Sequence, residues 1–113
     1  EASTVVIITN QSIVVEGKEV VAVRDGDVDA KNKAGGISGM QIVPLTKFLQ
    51  ALRIENEQTL KAQGKAPPLP ELMIIADRLT PYRLLLQVMY SSKVKEAGFK
   101  RFRLITLQAD GAP

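Results

Sequence analysis

Three carboxylates at alternate positions, Asp25, Asp27 and Asp29, stand where a calcium loop would place its first three ligands. The closing parts of such a loop are absent. An EF-hand takes Gly at its sixth position and a bidentate Glu at its twelfth, and counting from Asp25 these are Ala30 and Gly36. A solvated acidic loop is therefore expected, with no metal. Gly35, Gly36 and Gly39 lack the Lys-Ser/Thr pair of a phosphate-cradling loop and read as flexibility. The chain has no His and no Cys, which removes the Ser-His-Asp triad, the thiolate nucleophile, the usual zinc ligands and imidazole acid-base chemistry. Hydrolysis would have to rest on carboxylates, Lys or Tyr with no identified pair, so no enzyme activity and no cofactor is expected.

The basic residues concentrate at Lys93, Lys95, Lys100, Arg101 and Arg103. Cations at a helix C-terminus gain from the macrodipole, which accounts for part of this cluster without a partner. Only Phe99 and Phe102 lie near it, and no stacking or backbone-clamping motif accompanies them, so nucleic acid is not expected. The most informative stretch is Ala76-Asp77-Arg78-Leu79-Thr80-Pro81-Tyr82, a carboxylate at a strand exit just before a helix. Local physics alone makes it a capping site: Asp77 accepts backbone N–H bonds, Thr80 caps, Pro81 sets the first helical turn and Tyr82 packs over the strand end.

The elements that would position these residues follow from patterning. The 113 residues suit one domain, and 45% apolar and 24% charged residues with a net charge of +3 describe a globular chain. Thr4–Thr9 and Ile13–Val15 read as β-branched strands, and Glu16-Gly17-Lys18 as the tight turn of a hairpin returning through Glu19–Val23. From Arg24 to Gln41 no apolar period survives, which predicts a mobile loop. Leu45, Phe48, Leu49 and Leu52 fall at i, i+3, i+4 and i+7 and predict a helix to about Ala62, closed by Gly64. After a proline-rich connector over 65–70, Leu72–Ala76 does not alternate and predicts a central strand buried on both faces. A helix from Pro81 to about Ala97 with Gly98 as its cap, a last strand over Phe102–Leu107 and a frayed tail over 108–113 complete the chain. The expected fold is α+β, a two-layer sandwich of a mixed sheet with two helices on one face, in the order β-β-β-α-β-α-β. No stretch reaches the roughly 20 apolar residues that span a bilayer. Beginning at Glu1 rather than Met, the chain reads as an excised soluble piece of something longer.

The Asp77–Tyr82 stretch, together with Leu86, Met89, Ala97-Gly98-Phe99 and Leu104-Ile105-Thr106, resembles the ExbD/TolR family of biopolymer-transport proteins. In that family an Ala-Asp-x-x-x-Pro-Tyr segment leads into a helix carrying a Met, then an Ala-Gly-Phe and a last strand. Asp77, Pro81, Tyr82, Met89, Gly98 and Phe99 are the matching positions, within a resemblance that runs from about Glu71 to Thr106. The Met89-to-Gly98 interval is about two residues longer than the commonest family spacing, and Tyr90-Ser91-Ser92 is closer to Tol-like and gliding-motor variants. The resemblance implies the periplasmic domain of a single-pass inner-membrane protein. That protein would dimerise, work beside an ExbB/TolQ-like proton channel, pass energy to a TonB/TolA-like protein and engage peptidoglycan. Lys100, Arg101 and Arg103 are the candidate residues for partner or cell-wall binding. The alternative is a stand-alone small-ligand-binding or scaffold domain. An upstream apolar helix of about 20 residues containing one Asp would separate the two.

Overall fold

A computed structural model describes residues 3–66 and 70–107; the prolines at 67 and 68 and the tail over 108–113 lie outside the described residues. Strands β1 (Thr4–Ile8), β2 (Ser12–Val15) and β3 (Lys18–Arg24) form the expected meander. The β2–β3 turn places Glu16 at φ 50° and Gly17 at φ 84°, the paired positive angles of the hairpin turn that matches strand twist. Strands β4 (Asp27–Val28), β5 (Lys33–Ala34) and β6 (Gln41–Ile42) follow, then helix α1 (Val43–Ala62), β7 (Glu71–Asp77), α2 (Tyr82–Lys93) and β8 (Arg101–Leu107). Six strands make one mixed sheet in the order β4-β3-β2-β1-β7-β8, and β5 pairs with β6 in a separate hairpin. β1 runs antiparallel to β2 and parallel to β7, and β7 runs parallel to β8. The fold is α+β, with two helices and a mixed sheet.

Helix α1 forms as its period dictates. Leu45 and Leu49 are fully buried, with Phe48 and Leu52 packed beside them on the same face. Each completely buried leucine contributes roughly 1.5–3 kcal/mol relative to exposure. The helix ends in a Schellman motif: Lys65 N–H donates to the Leu60 carbonyl at 2.8 Å and Gly64 N–H to Lys61 at 2.9 Å, with Gly64 at φ 74°.

Five expectations are corrected. β7 is buried on one face only: Leu72, Ile74 and Ala76 join the core while Met73 and Ile75 are half-buried. The apolar run does not alternate in type, yet the strand alternates in burial. Helix α2 starts at Tyr82 with Pro81, not Thr80, at the N-cap, and it ends at Lys93, well before Gly98. It stops because Val94 turns extended (ψ 155°) to carry Ala97 and Phe99 back into the core, where they are 0% and 3% exposed. Gly98 therefore closes that returning turn, at φ 74°, rather than capping the helix. Tyr82 does not cover the strand end; it is 73% exposed. Lastly, the segment read as a loop over 24–41 contains β4, the β5–β6 hairpin and two single 3-10 turns, Ala30–Asn32 and Gly36–Ser38.

Candidate functional site

The segment over 24–41 is anchored by polar bonds rather than by an apolar period. Lys33, whose side chain is 0% exposed, donates from Nζ to Asp27 Oδ1 at 2.9 Å and to the Ile37 carbonyl at 3.1 Å. Arg83 Nη2 of α2 reaches the same carbonyl at 2.9 Å, and Gln87 Nε2 donates to the Gly39 carbonyl at 3.3 Å. Gln87 is itself fully buried, and its Oε1 finds no hydrogen-bond partner among the described residues. The bond from Lys33 chiefly holds the Asp27 carboxyl below the usual carboxylate range, against a smaller opposing effect of burial and with help from Val28 N–H. The three alternating aspartates therefore do separate structural jobs. Asp25, at φ 53°, turns with Gly26 between β3 and β4; Asp27 pairs with Lys33; Asp29 accepts from Lys31 N–H at 3.0 Å and caps a 3-10 turn. No group of three acidic side chains that could hold an ion occurs among the described residues.

A second buried polar joint ties α2 to the start of α1. Ser91 Oγ accepts from Ile42 N–H at 2.8 Å and donates to the Gln87 carbonyl at 2.6 Å, while Thr46 Oγ1 donates to the Ser91 carbonyl at 2.8 Å. Ser91→Ala strands a buried backbone donor, and we expect a loss of about 1–2 kcal/mol in urea-monitored stability. An unchanged midpoint would show that Ile42 N–H is satisfied some other way. Arg53 is a third clamp, donating to the carbonyls of Ala97 (2.7 Å) and Glu96 (3.3 Å) while ion-paired with Glu57 at 2.9 Å.

The Asp77–Tyr82 turn keeps part of its expected chemistry. Asp77 Oδ1 accepts from Leu79 N–H and the Asp77 carbonyl from Thr80 N–H, both at 2.9 Å, a self-capped turn. Pro81 lies against the β3–β4 turn, where a Cβ on Gly26 would come within 2.8 Å of its Cγ. The residues of the family motif do not converge. Asp77, Pro81 and Tyr82 sit at the N-terminal end of α2, Met89 on its flank, and Gly98 and Phe99 beyond its other end, about 18 Å of helix away. Lys100, Arg101 and Arg103 gather where β7 and β8 begin: the N–H groups of Lys100 and Arg101 both donate to Pro70 at 3.2 Å, and Arg103 approaches Glu71 at 3.8 Å. Arg103 is therefore partly neutralised within the chain.

Two further surfaces stand out. β8 closes one edge of the sheet, and Leu104, Ile105 and Leu107 are 51%, 38% and 52% exposed, so apolar side chains face solvent on both sides of that strand. The second is an apolar groove of about 530 Å³ lined by Met40, Leu86, Met89, Tyr90, Lys93 and Val94. Its signal was present in the sequence as a second apolar stripe on α2, hidden because one stripe suffices to predict a helix. No helix among the described residues is long and apolar enough to cross a membrane. No family model matches the chain, and neither a curated protein nor a solved structure gives a match.

Proposed function

We propose that this chain is the periplasmic domain of an ExbD/TolR-like inner-membrane protein, a non-enzymatic module that dimerises and transmits force from a proton-driven ExbB/TolQ-like channel to a TonB/TolA-like partner. Its architecture in this reading is a two-layer sandwich with both helices on one face. The 20 Å thinnest dimension supports that, since one sheet and one layer of helices need about 10 Å each. The residue-level support is the Asp77 turn, the Pro81 helix start and the Gly98-Phe99 return into a parallel last strand.

The observation that carries the proposal is the uncovered β8 edge. A sheet edge with apolar side chains on both faces and unpaired backbone groups is a template for another strand, and soluble proteins normally blunt such edges. Pairing of two β8 strands supplies the dimer, and Lys100, Arg101 and Arg103 at its beginning are the cations available to peptidoglycan carboxylates. Light scattering is expected to give twice the 12.3 kDa chain mass, falling to the monomer in Ile105→Pro and in Leu104→Lys with unchanged far-ultraviolet dichroism. A dimer that persists in both variants rejects β8 as the interface. Sedimentation with purified cell wall that is indifferent to Arg101→Glu and Arg103→Glu removes the cell-wall contact.

A further inference from the structure

β1 and β8 lie on either side of β7, and all three strands point the same way. The β1–β7 ladder runs in unbroken register from Thr4 beside Leu72 to Ile8 beside Ala76, and the β7–β8 ladder from Glu71 beside Arg101 to Asp77 beside Leu107. Thr4 is therefore level with Phe102, across from the early part of β8. The start of β1 and the end of β8 are then roughly 17 Å apart along the strands and roughly 10 Å apart across them. Tension between those two points runs mostly along the strands.

Direction decides how such a ladder fails. A pull along the strands loads every backbone bond of the ladder at once, whereas a pull across them opens the bonds one after another from one end. Force is free energy lost per distance travelled. In shear the whole ladder gives way within a slip of one residue, about 3.3 Å, so the same bonds resist a larger force than when they part in turn. The β7–β8 ladder is closed at both ends: Arg101 N–H donates to the Pro70 carbonyl at 3.2 Å, and Arg78 N–H to the Leu107 carbonyl at 2.9 Å.

Side chains lock the register against that slip. Val6 and Ile8 of β1 and Leu72, Ile74 and Ala76 of β7 are at most 2% exposed, while Val5, Ile7, Met73 and Ile75 between them are half-buried. A one-residue slip of β1 would bring Val5 and Ile7 to the core face and carry Val6 and Ile8 out of it.

We infer that β1, β7 and β8 form a load-bearing clamp that carries tension from the start of β1 to the end of β8. The clamp supplies the load path of the force-transmitting module proposed above and rests on that reading for its use, whereas its resistance follows from the topology alone.

The full chain has no cysteine, so two introduced cysteines are the only points to which linkers attach. One protein carries Thr4→Cys and Leu107→Cys; the other carries Thr4→Cys and Arg101→Cys, positions roughly 3 Å apart along the strands and roughly 10 Å across them. Both are stretched singly in an optical trap at one loading rate, after urea titration has shown equal midpoints. The first is expected to unfold at about three times the force of the second or more. Arg78→Pro then removes the last bond of the β7–β8 ladder. Thr80 N–H donates to the Asp77 carbonyl at 2.9 Å, which puts Arg78 at the second position of a β-turn, where proline is favoured. That change is expected to lower the first force by about 10–20% and to leave the second unchanged, because a ladder opened from Arg101 fails at its other end. Equal forces in the two directions, or an Arg78→Pro loss shared by both, overturns the clamp. A high first force in a chain that scatters light as a monomer keeps the clamp and counts against the dimeric module. Equal forces in a chain that scatters as a dimer does the reverse.

Discussion

Replacing Asp27 by Ala is expected to cost about 3 kcal/mol of folding stability, whereas replacing its partner Lys33 by Met is expected to cost about 1 kcal/mol or less. The two changes break the same 2.9 Å bond, so the difference tests what burial does to each end of it. The Lys33 side chain is 0% exposed and the Asp27 side chain 37% exposed. Without Asp27, a buried ammonium keeps only the Ile37 carbonyl as an acceptor and cannot recover its hydration. Without Lys33, the carboxylate still accepts Val28 N–H at 2.8 Å and turns to water, while Arg83 still serves the Ile37 carbonyl. Methionine fills the lysine's stem volume with apolar atoms. Acid carries the same signature. Because the folded Asp27 is more acidic than its 3.8 reference, first through the Lys33 bond, its contribution is complete above that value and is lost as pH falls below it toward the lowered folded pKa. Urea titrations of the three proteins from neutrality to pH 3 check both statements. Equal losses in the two variants, or a difference between wild type and Lys33→Met that does not shrink below pH 3.8, would refute the asymmetry.

What the sequence made legible depended on whether one local signal was enough. The meander was readable because β-branched runs and Glu16-Gly17 act locally, and α1 because Leu45, Phe48, Leu49 and Leu52 specify a face without reference to anything distant. The Gly98 turn escapes a local reading for the opposite reason. Helix propensity carries α2 toward Ala97, but two long-range facts intervene: Phe99 must reach the core, and Arg53, 44 residues earlier, holds the Ala97 carbonyl. The same holds for the 24–41 segment, where the organising residue is a lysine. A buried Lys33 has no hydropathy signature, and its partner Asp27 reads as part of a solvated triplet because an i, i+2, i+4 pattern suggests a common ligand before it suggests three separate structural roles. The groove on α2 has a sequence cue that a helix prediction does not need. Its cue was an apolar stripe in excess of what the helix needs to fold, combined with the absence of any acid over 78–95.

Gly39→Ala is expected to be as damaging as Asp27→Ala, about 3 kcal/mol, and for a reason that composition conceals. Gly39 has φ −69° and ψ 150°, an ordinary extended conformation that alanine adopts freely, so glycine is not there for its backbone freedom. It is there for space: an added Cβ would overlap the Ala34 carbonyl oxygen and lie 2.8 Å from the Ala34 carbonyl carbon. Both obstacles are backbone, which cannot swing aside as a side chain would, so the closure of the β5–β6 hairpin has to open. Opening it draws on bonds at both ends, because the Gly39 N–H donates to Gly36 at 2.9 Å and its carbonyl accepts from buried Gln87, whose Oε1 has no partner among the described residues. The displacement also reaches the surface, since Met40 is the next residue and lines the α2 groove. Gly39→Ala should therefore lower the urea midpoint. Gly36→Ala provides the contrast. That residue has no atom within 4 Å of an added Cβ but sits at φ 78°, so its smaller cost, about 1 kcal/mol, comes from backbone strain. A Gly39→Ala protein within about 0.5 kcal/mol of wild type would mean that the 24–41 segment yields without resistance, and that Lys33, Arg83 and Gln87 do not hold it in place.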